Sequence, residues 1–227
     1  MTAKRRGQGA AQPDRGFPRR TAASGAARAS YRRWTVILVS ALVVFLLALF
    51  ALASIFFAYQ EGQKTYDDVA EEAFLPDSSL SDVPGATLAD LSVDWDALLA
   101  VNPDTVGWIC IPGTNVNYPI VRAPESDSDK YLTVDFQGNS GGWWQPTYGT
   151  PYLLAQNAAD FSDRNNIVQG HHLQNGEMFA AIADFADAEQ FNAHRTVYLL
   201  TPAGNWRLQS VSLVHCSGSE SIVQTKF

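Results

Sequence analysis

The chain has 227 residues, room for about one ordinary domain beside its N-terminal segments, with 46% hydrophobic residues and a net charge of −7. The average hides a split: residues 1–33 carry nine Lys/Arg and one acid, residues 34–58 carry no charge, and residues 59–227 carry 7 Lys/Arg against 22 Asp/Glu. A basic tail, an uncharged block and an acidic remainder describe a membrane topology, and the acidic part offers no basic patch for nucleic acid. The two cysteines, Cys110 and Cys216, form no Cys-x-x-Cys pair and have no matched His ligands, so no metal or cofactor is expected.

In chain order, residues 1–33 form a basic tail, of which residues 1–30, rich in Ala, Gly, Arg and Ser, have the composition of a disordered segment. Residues 34–58 are predicted as a transmembrane helix. At ~1.5 Å per residue this stretch spans the ~30 Å hydrocarbon core with some tilt. Trp34 and Tyr59 flank it as interfacial aromatics, and Arg32-Arg33 place the N-terminus in the cytoplasm and the C-terminal part outside. A cleaved signal peptide is the alternative, since Ala51-Leu52-Ala53 offers a small-residue site. The apolar run, however, exceeds the ~7–15 residues of such a segment and continues to Phe57. Residues 59–87 read as a stalk and linker: helix-compatible to Phe74, then rich in Pro, Asp, Ser and Gly.

A folded extracellular domain is predicted over 88–227. Leu91, Trp95, Leu98 and Leu99 recur at helical spacing, with Asp94 and Asp96 near the start and Asn102-Pro103 at the end. Short strands follow. One covers 106–111 and is cut by Pro112-Gly113. A second covers 116–121, where Pro119 points to an edge or a bulge. Residues 130–136 are a short helix or turn, and 137–149, with Trp143-Trp144, a Gly-rich loop. Strands are expected over 150–155 and 166–169, a helix over 178–191, and two strands over 196–200 and 206–214, joined by a hairpin-like turn. Residues 219–227 could begin another helix. His194 beside Arg195 reads as a solvated connection. Many short strands with short helices between them predict a mainly β barrel or sandwich.

The stretch Asn166-Ile167-Val168-Gln169-Gly170-His171-His172 is the chemically suggestive one. It reads as a strand delivering an imidazole to its own C-terminal end, where a rigid element meets a loop with room for a substrate. The plainer alternative is a pair of loop histidines at a strand end.

Two motifs carry a family resemblance. Asn102-Pro103-Asp104-Thr105-Val106-Gly107-Trp108-Ile109-Cys110-Ile111-Pro112-Gly113-Thr114, continued by Tyr118-Pro119-Ile120-Val121, resembles the N-terminal signature of class B sortases. Gly170-His171-His172-Leu173 with Asn175-Gly176 and Met178-Phe179 resembles their catalytic histidine segment. The resemblance implies a sortase-like β-barrel behind one transmembrane helix, and a membrane-anchored cysteine transpeptidase. Such an enzyme cleaves C-terminal sorting signals of secreted proteins and joins them to a cell-wall precursor or pilin amine in Gram-positive bacteria. It implies His171 as the general acid/base, with His172 structural or at the rim. It also implies a Cys nucleophile on a late Leu-x-Thr-Cys strand and an Arg on the next strand.

Neither of those two patterns is present. Leu213-Val214-His215-Cys216 is superficially similar, but too little strand and helix material separates it from His171, and no Arg follows Cys216. The expectation is a barrel incomplete at its C-terminus, truncated before the catalytic Cys and Arg, with the 227-residue chain inactive by itself. Two alternatives stay open: Cys216 as a divergent nucleophile, and a catalytically inactive, membrane-tethered sortase-like binding module. Cys110 reads as a packed small residue.

Overall fold

A computed structural model describes residues 23–75, 91–141 and 148–216 of the chain. The basic tail up to residue 22, the linker from 76, Trp143-Trp144 and the helix expected over 219–227 lie outside the described residues. Two compact units are distinguished, Met1–Ala51 and Leu52–Phe227.

Helix α1 runs over Ala23–Ala73. Within it, Ser30–Ala73 contains a stretch long and apolar enough to cross a membrane. In the first unit, side chains such as Trp34, Leu38, Val44 and Phe50 are exposed. In the second unit the same helix has a packed face. Tyr66, Val69, Ala70 and Ala73 are buried at the i, i+3, i+4, i+7 spacing of an amphipathic helix. The stretch that the sequence presents as a stalk therefore carries core residues.

Directly after α1, strand β1 (Phe74–Leu75) pairs antiparallel with β2 (Ser92–Val93). Helix α2 (Trp95–Val101) starts later than the expected spacing from Leu91, which precedes β2 instead; the Asp94 carboxylate accepts from the Ala97 N–H at 3.0 Å and satisfies a first-turn donor. It stops at Asn102. That buried side chain accepts from the Asp104 N–H and donates to the Phe136 carbonyl, 3.0 Å in each case.

A six-stranded sheet follows, in the order β6-β5-β4-β3-β7-β8. Its strands are β3 (Thr105–Cys110), β4 (Asn117–Arg122), β5 (Tyr152–Leu153), β6 (Val168–Gln169), β7 (Thr196–Thr201) and β8 (Gly204–Gln209). Only β4 and β5 run parallel; the other neighbours are antiparallel. Helix α3 (Lys130–Thr133) lies between β4 and β5. The expected 178–191 helix is broken into α4 (Ala180–Ala183), a 3₁₀ turn over Asp184–Ala186, and α5 (Ala188–Ala193). The break is local: Asp187 leaves helical geometry and caps α5 through the N–H groups of Glu189 and Gln190.

Pro119 marks neither a sheet edge nor the bulge. β4 is an interior strand, and the register shift falls in β3, between Thr105 and Gly107. Proline is tolerated because β5 pairs only with Val121 and Arg122, leaving β3 as the partner strand opposite Pro119. Tyr118 to Val121 are all buried, as in a strand covered on both faces. The core gathers Trp108, Ile120, Tyr131, Phe136, Tyr152 and Leu200, while Trp206 and Leu208 on the edge strand β8 are 40% and 44% exposed.

Candidate active site

His171 stands two residues past β6, after Gly170. Glycine is required at 170 by close approach: a Cβ there would lie 2.8 Å from the Phe179 ring. The Phe179 N–H in turn donates to the His171 carbonyl at 2.8 Å. The imidazole is half-buried, and its Nε2 lies 2.6 Å from the Leu132 carbonyl oxygen. A carbonyl only accepts, so Nε2 carries a proton and Nδ1 is left as the ring's proton-accepting nitrogen.

The wall beside the ring is Gly149, in the left-handed region at φ +57. A Cβ at this position would lie 2.6 Å from the Tyr131 carbonyl, 3.0 Å from the Leu132 carbonyl and 3.0 Å from His171 Cδ2. Glycine thus lets 149 close over the turn that holds the histidine. That turn is fixed from the other side. Asp104 accepts from the Tyr131 hydroxyl at 2.6 Å and from Lys130 Nζ at 2.9 Å. Burial pushes the Asp104 carboxyl up, but the Tyr131 and Lys130 donors outweigh it and hold it below the usual carboxylate range.

Downstream of the histidines, Gly176 (φ +87) closes a turn through its N–H to the Leu173 carbonyl, 3.1 Å. Met178 is fully buried with a left-handed φ of 58, a strained geometry for a side-chain-bearing residue. The Tyr118 hydroxyl holds it, accepting from the Met178 N–H at 3.0 Å while donating to Glu177 at 2.8 Å. Burial, with the Glu177 charge next, pushes the Tyr118 phenol well up, so it stays a donor.

The other candidates separate from this group. His172 is exposed and bridges to Met178; it lines a cleft of about 410 Å³ together with His194, Asp184, Gln190 and Thr114. His171 does not line that cleft. His194 is more than a solvated connector. Its ring stacks on Phe185 with centroids 6.1 Å apart, and its Nδ1 lies 2.9 Å from the Pro112 carbonyl. Cys110 is 2% exposed, and burial pushes its thiol up to about 12, which removes it as a nucleophile at neutral pH. Cys216 is half-buried and follows β8, the sheet edge opposite β6. Among the described residues no three His, Cys, Asp or Glu side chains group as metal ligands. His171 is legible in the sequence as a candidate, but Leu132 and Gly149, which meet its ring, are not. The one available pointer was Gly149, at the end of a Gly-rich loop.

A curled, half-barrel sheet with short helices and a histidine beyond a strand end defines a sortase-type fold. No family model matches the chain. It is 25% identical over 168 residues to sortase B of Listeria monocytogenes, covering 74% of this chain and 63% of that protein. It is also 25% identical over 133 residues to sortase B of Staphylococcus aureus, covering 59% and 52%. Among solved structures, a Bacillus anthracis protein described as similar to sortase B superposes with a TM-score of 0.60 at 26% identity, over 74% of each chain. Clostridium perfringens sortase B superposes with a TM-score of 0.53 at 29% identity, over 59% of this chain and 70% of that one. Sequence and fold together make this chain a homologue of the class B sortases. It spans 63% and 52% of the two curated relatives.

Proposed function

We propose that this chain belongs to a cysteine transpeptidase of the class B sortase type, with His171 as its general acid/base. The observation that carries the reading is the imidazole itself: half-buried past a strand end, with Nε2–H anchored on Leu132 and Nδ1 as the remaining basic nitrogen. In this reading a cysteine thiolate attacks the carbonyl of a sorting signal and forms a thioester. His171 gives a proton to the departing amine. It then takes one from the incoming amine, a cell-wall precursor or pilin amine, as that amine displaces the sulfur. The nucleophile is a cysteine other than Cys110; Cys216 is the described thiol that tests as an alternative. The substrates are secreted proteins with C-terminal sorting signals.

The same reading places residues 34–58 in the cell membrane, residues 1–33 in the cytoplasm and residues 88–227 outside. Its support is the charge-free stretch with Arg32-Arg33 before it and acidic sequence after it. The test uses the native protein in membranes of its source, with a quenched sorting-signal peptide and an amine acceptor. His171→Ala should abolish both cleavage and joining, while His172→Ala should leave both in place. Peptide binding without cleavage by the unmodified protein would replace this reading with that of a tethered binding module.

A further inference from the structure

We propose that Tyr66, on the last turns of α1, is a positioning residue for His171. The proposal rests on the reading of His171 as the acid/base group, but its structural content can be measured separately.

Tyr66 is 3% exposed, and its hydroxyl ties together two backbone segments distant from it in sequence. The hydroxyl donates to the Gly149 carbonyl, accepts from the Phe136 N–H at 3.2 Å and lies 3.2 Å from Thr150 Oγ1. Those segments also hold each other. The Thr150 N–H donates to the Tyr131 carbonyl at 2.9 Å, and Thr150 Oγ1 donates to the Val134 carbonyl at 3.0 Å. Between them sits the histidine. Residues 131–136 present the Leu132 carbonyl to Nε2, and Gly149 forms the wall against Cδ2.

The Tyr66 ring reaches the other side of the site as well. It meets the Tyr118 ring edge-on, centroids 5.4 Å apart at 90°, and stacks on Tyr148 at 6.1 Å and 23°. The Tyr118 hydroxyl fixes Met178, and Phe179 beside it fixes the His171 carbonyl. One side chain therefore stands behind both the ring contacts and the backbone contact of His171. Removing only the hydroxyl orphans a buried N–H at Phe136 and frees the Gly149 carbonyl. The Leu132 carbonyl then loses its fixed aim. The consequence for chemistry is specific: without that aim the proton is no longer confined to Nε2, and Nδ1 is no longer the reserved base.

The test reads the tautomer, not turnover. The full chain, labelled with ¹⁵N-histidine and held in detergent micelles, gives the ratio of Nε2–H to Nδ1–H at each imidazole, with His171 assigned through His171→Gln. Tyr66→Phe should lower the His171 ratio about fivefold, the worth of a typical hydrogen bond, and leave His172 and His194 unchanged. Val69→Ala, a cavity on the same buried helix face, should lower the melting temperature and leave the ratio at the parent value. An unchanged ratio in Tyr66→Phe, or an equal change in Val69→Ala, overturns the proposal. Should Tyr66→Phe fail to fold, Thr150→Val must move the same ratio in the same direction, and no movement there overturns it too. Failure of the His171→Ala activity test would remove the catalytic reading while leaving this tautomer result to stand or fall by itself.

Discussion

His171 Nε2 and the Leu132 carbonyl oxygen are 2.6 Å apart, a side-chain-to-backbone bond across 39 positions of sequence. It fixes which imidazole nitrogen is free. If that nitrogen shuttles protons, His171→Ala should lower the rate of amide cleavage by about 10²–10⁴-fold, the usual worth of a positioned acid/base. Steady-state cleavage of a quenched peptide by native membranes measures it. A loss equally large in His172→Ala would place the chemistry on the wrong ring.

Gly149 should tolerate no side chain. Its left-handed φ and the 2.6 Å approach of a Cβ to the Tyr131 carbonyl predict that Gly149→Ala loses about 1–3 kcal/mol from backbone strain alone. The collision adds to this. Urea denaturation compared with Gly138→Ala is the check, because Gly138 also has positive φ, +90, but nothing within 4 Å of its Cβ position. Equal losses in the two variants would mean that the wall against His171 is not tight.

Cys110 should be inert while the protein is folded. Its thiol is pushed from 9.0 up to about 12 by burial, so at pH 8 an alkylating reagent should modify Cys216 quickly and Cys110 only after denaturant is added. The sign for stability follows. The folded pKa is the higher one, so this thiol's contribution is complete below about pH 9 and fades between about 9 and 12 as the unfolded thiol ionises. Cys110→Ser should flatten that alkaline decline; mass spectrometry of alkylated peptides and a pH series of melting temperatures read the two outcomes.

The Asp104 carboxylate has the opposite sign. Its pKa is held down by Tyr131 and Lys130, so the stability it contributes is present above the ordinary carboxylate range and is lost as pH falls through the lowered value. Asp104→Asn should make the melting temperature less sensitive to acid than the parent. The effect should be modest, because the side chains of Lys130 and Asp104 are 36% and 37% exposed. An acid profile identical to the parent would show that the Asp104 contacts do not hold α3.

What was legible in the sequence were features written in adjacent residues. Asp94 announces the start of α2, Asn102-Pro103 its end, and Pro112-Gly113 the β3–β4 turn. Gly170-His171 sits at the end of a strand, as its apolar run implies. The same locality explains the misses. Pro119 argues for an edge only if its strand is paired along its whole length, and the shortness of β5 is a tertiary fact. The 178–191 helix has continuous apolar spacing, yet Met178 is drawn into a left-handed bridge by a tyrosine 60 positions earlier. The polar-looking segment after residue 58 hides Tyr66, Val69 and Ala73 because tyrosine and alanine do not mark a core face without their partners in view.

The bond from Tyr66 to Gly149 spans 83 positions, and the pairing of β3 with β7 joins Cys110 to Tyr198. A chain made from its N-terminus therefore emerges with the buried face of α1 bare, and must expose it until residues 131–150 have been synthesised. The β3–β4 hairpin can close early, but the middle of the sheet must wait for β7. Such late closures are slow and leave apolar surface open to wrong partners. The C-terminal part of α1 is thus among the first parts of this unit to be made and among the last to be satisfied, so its buried face stays bare through most of synthesis.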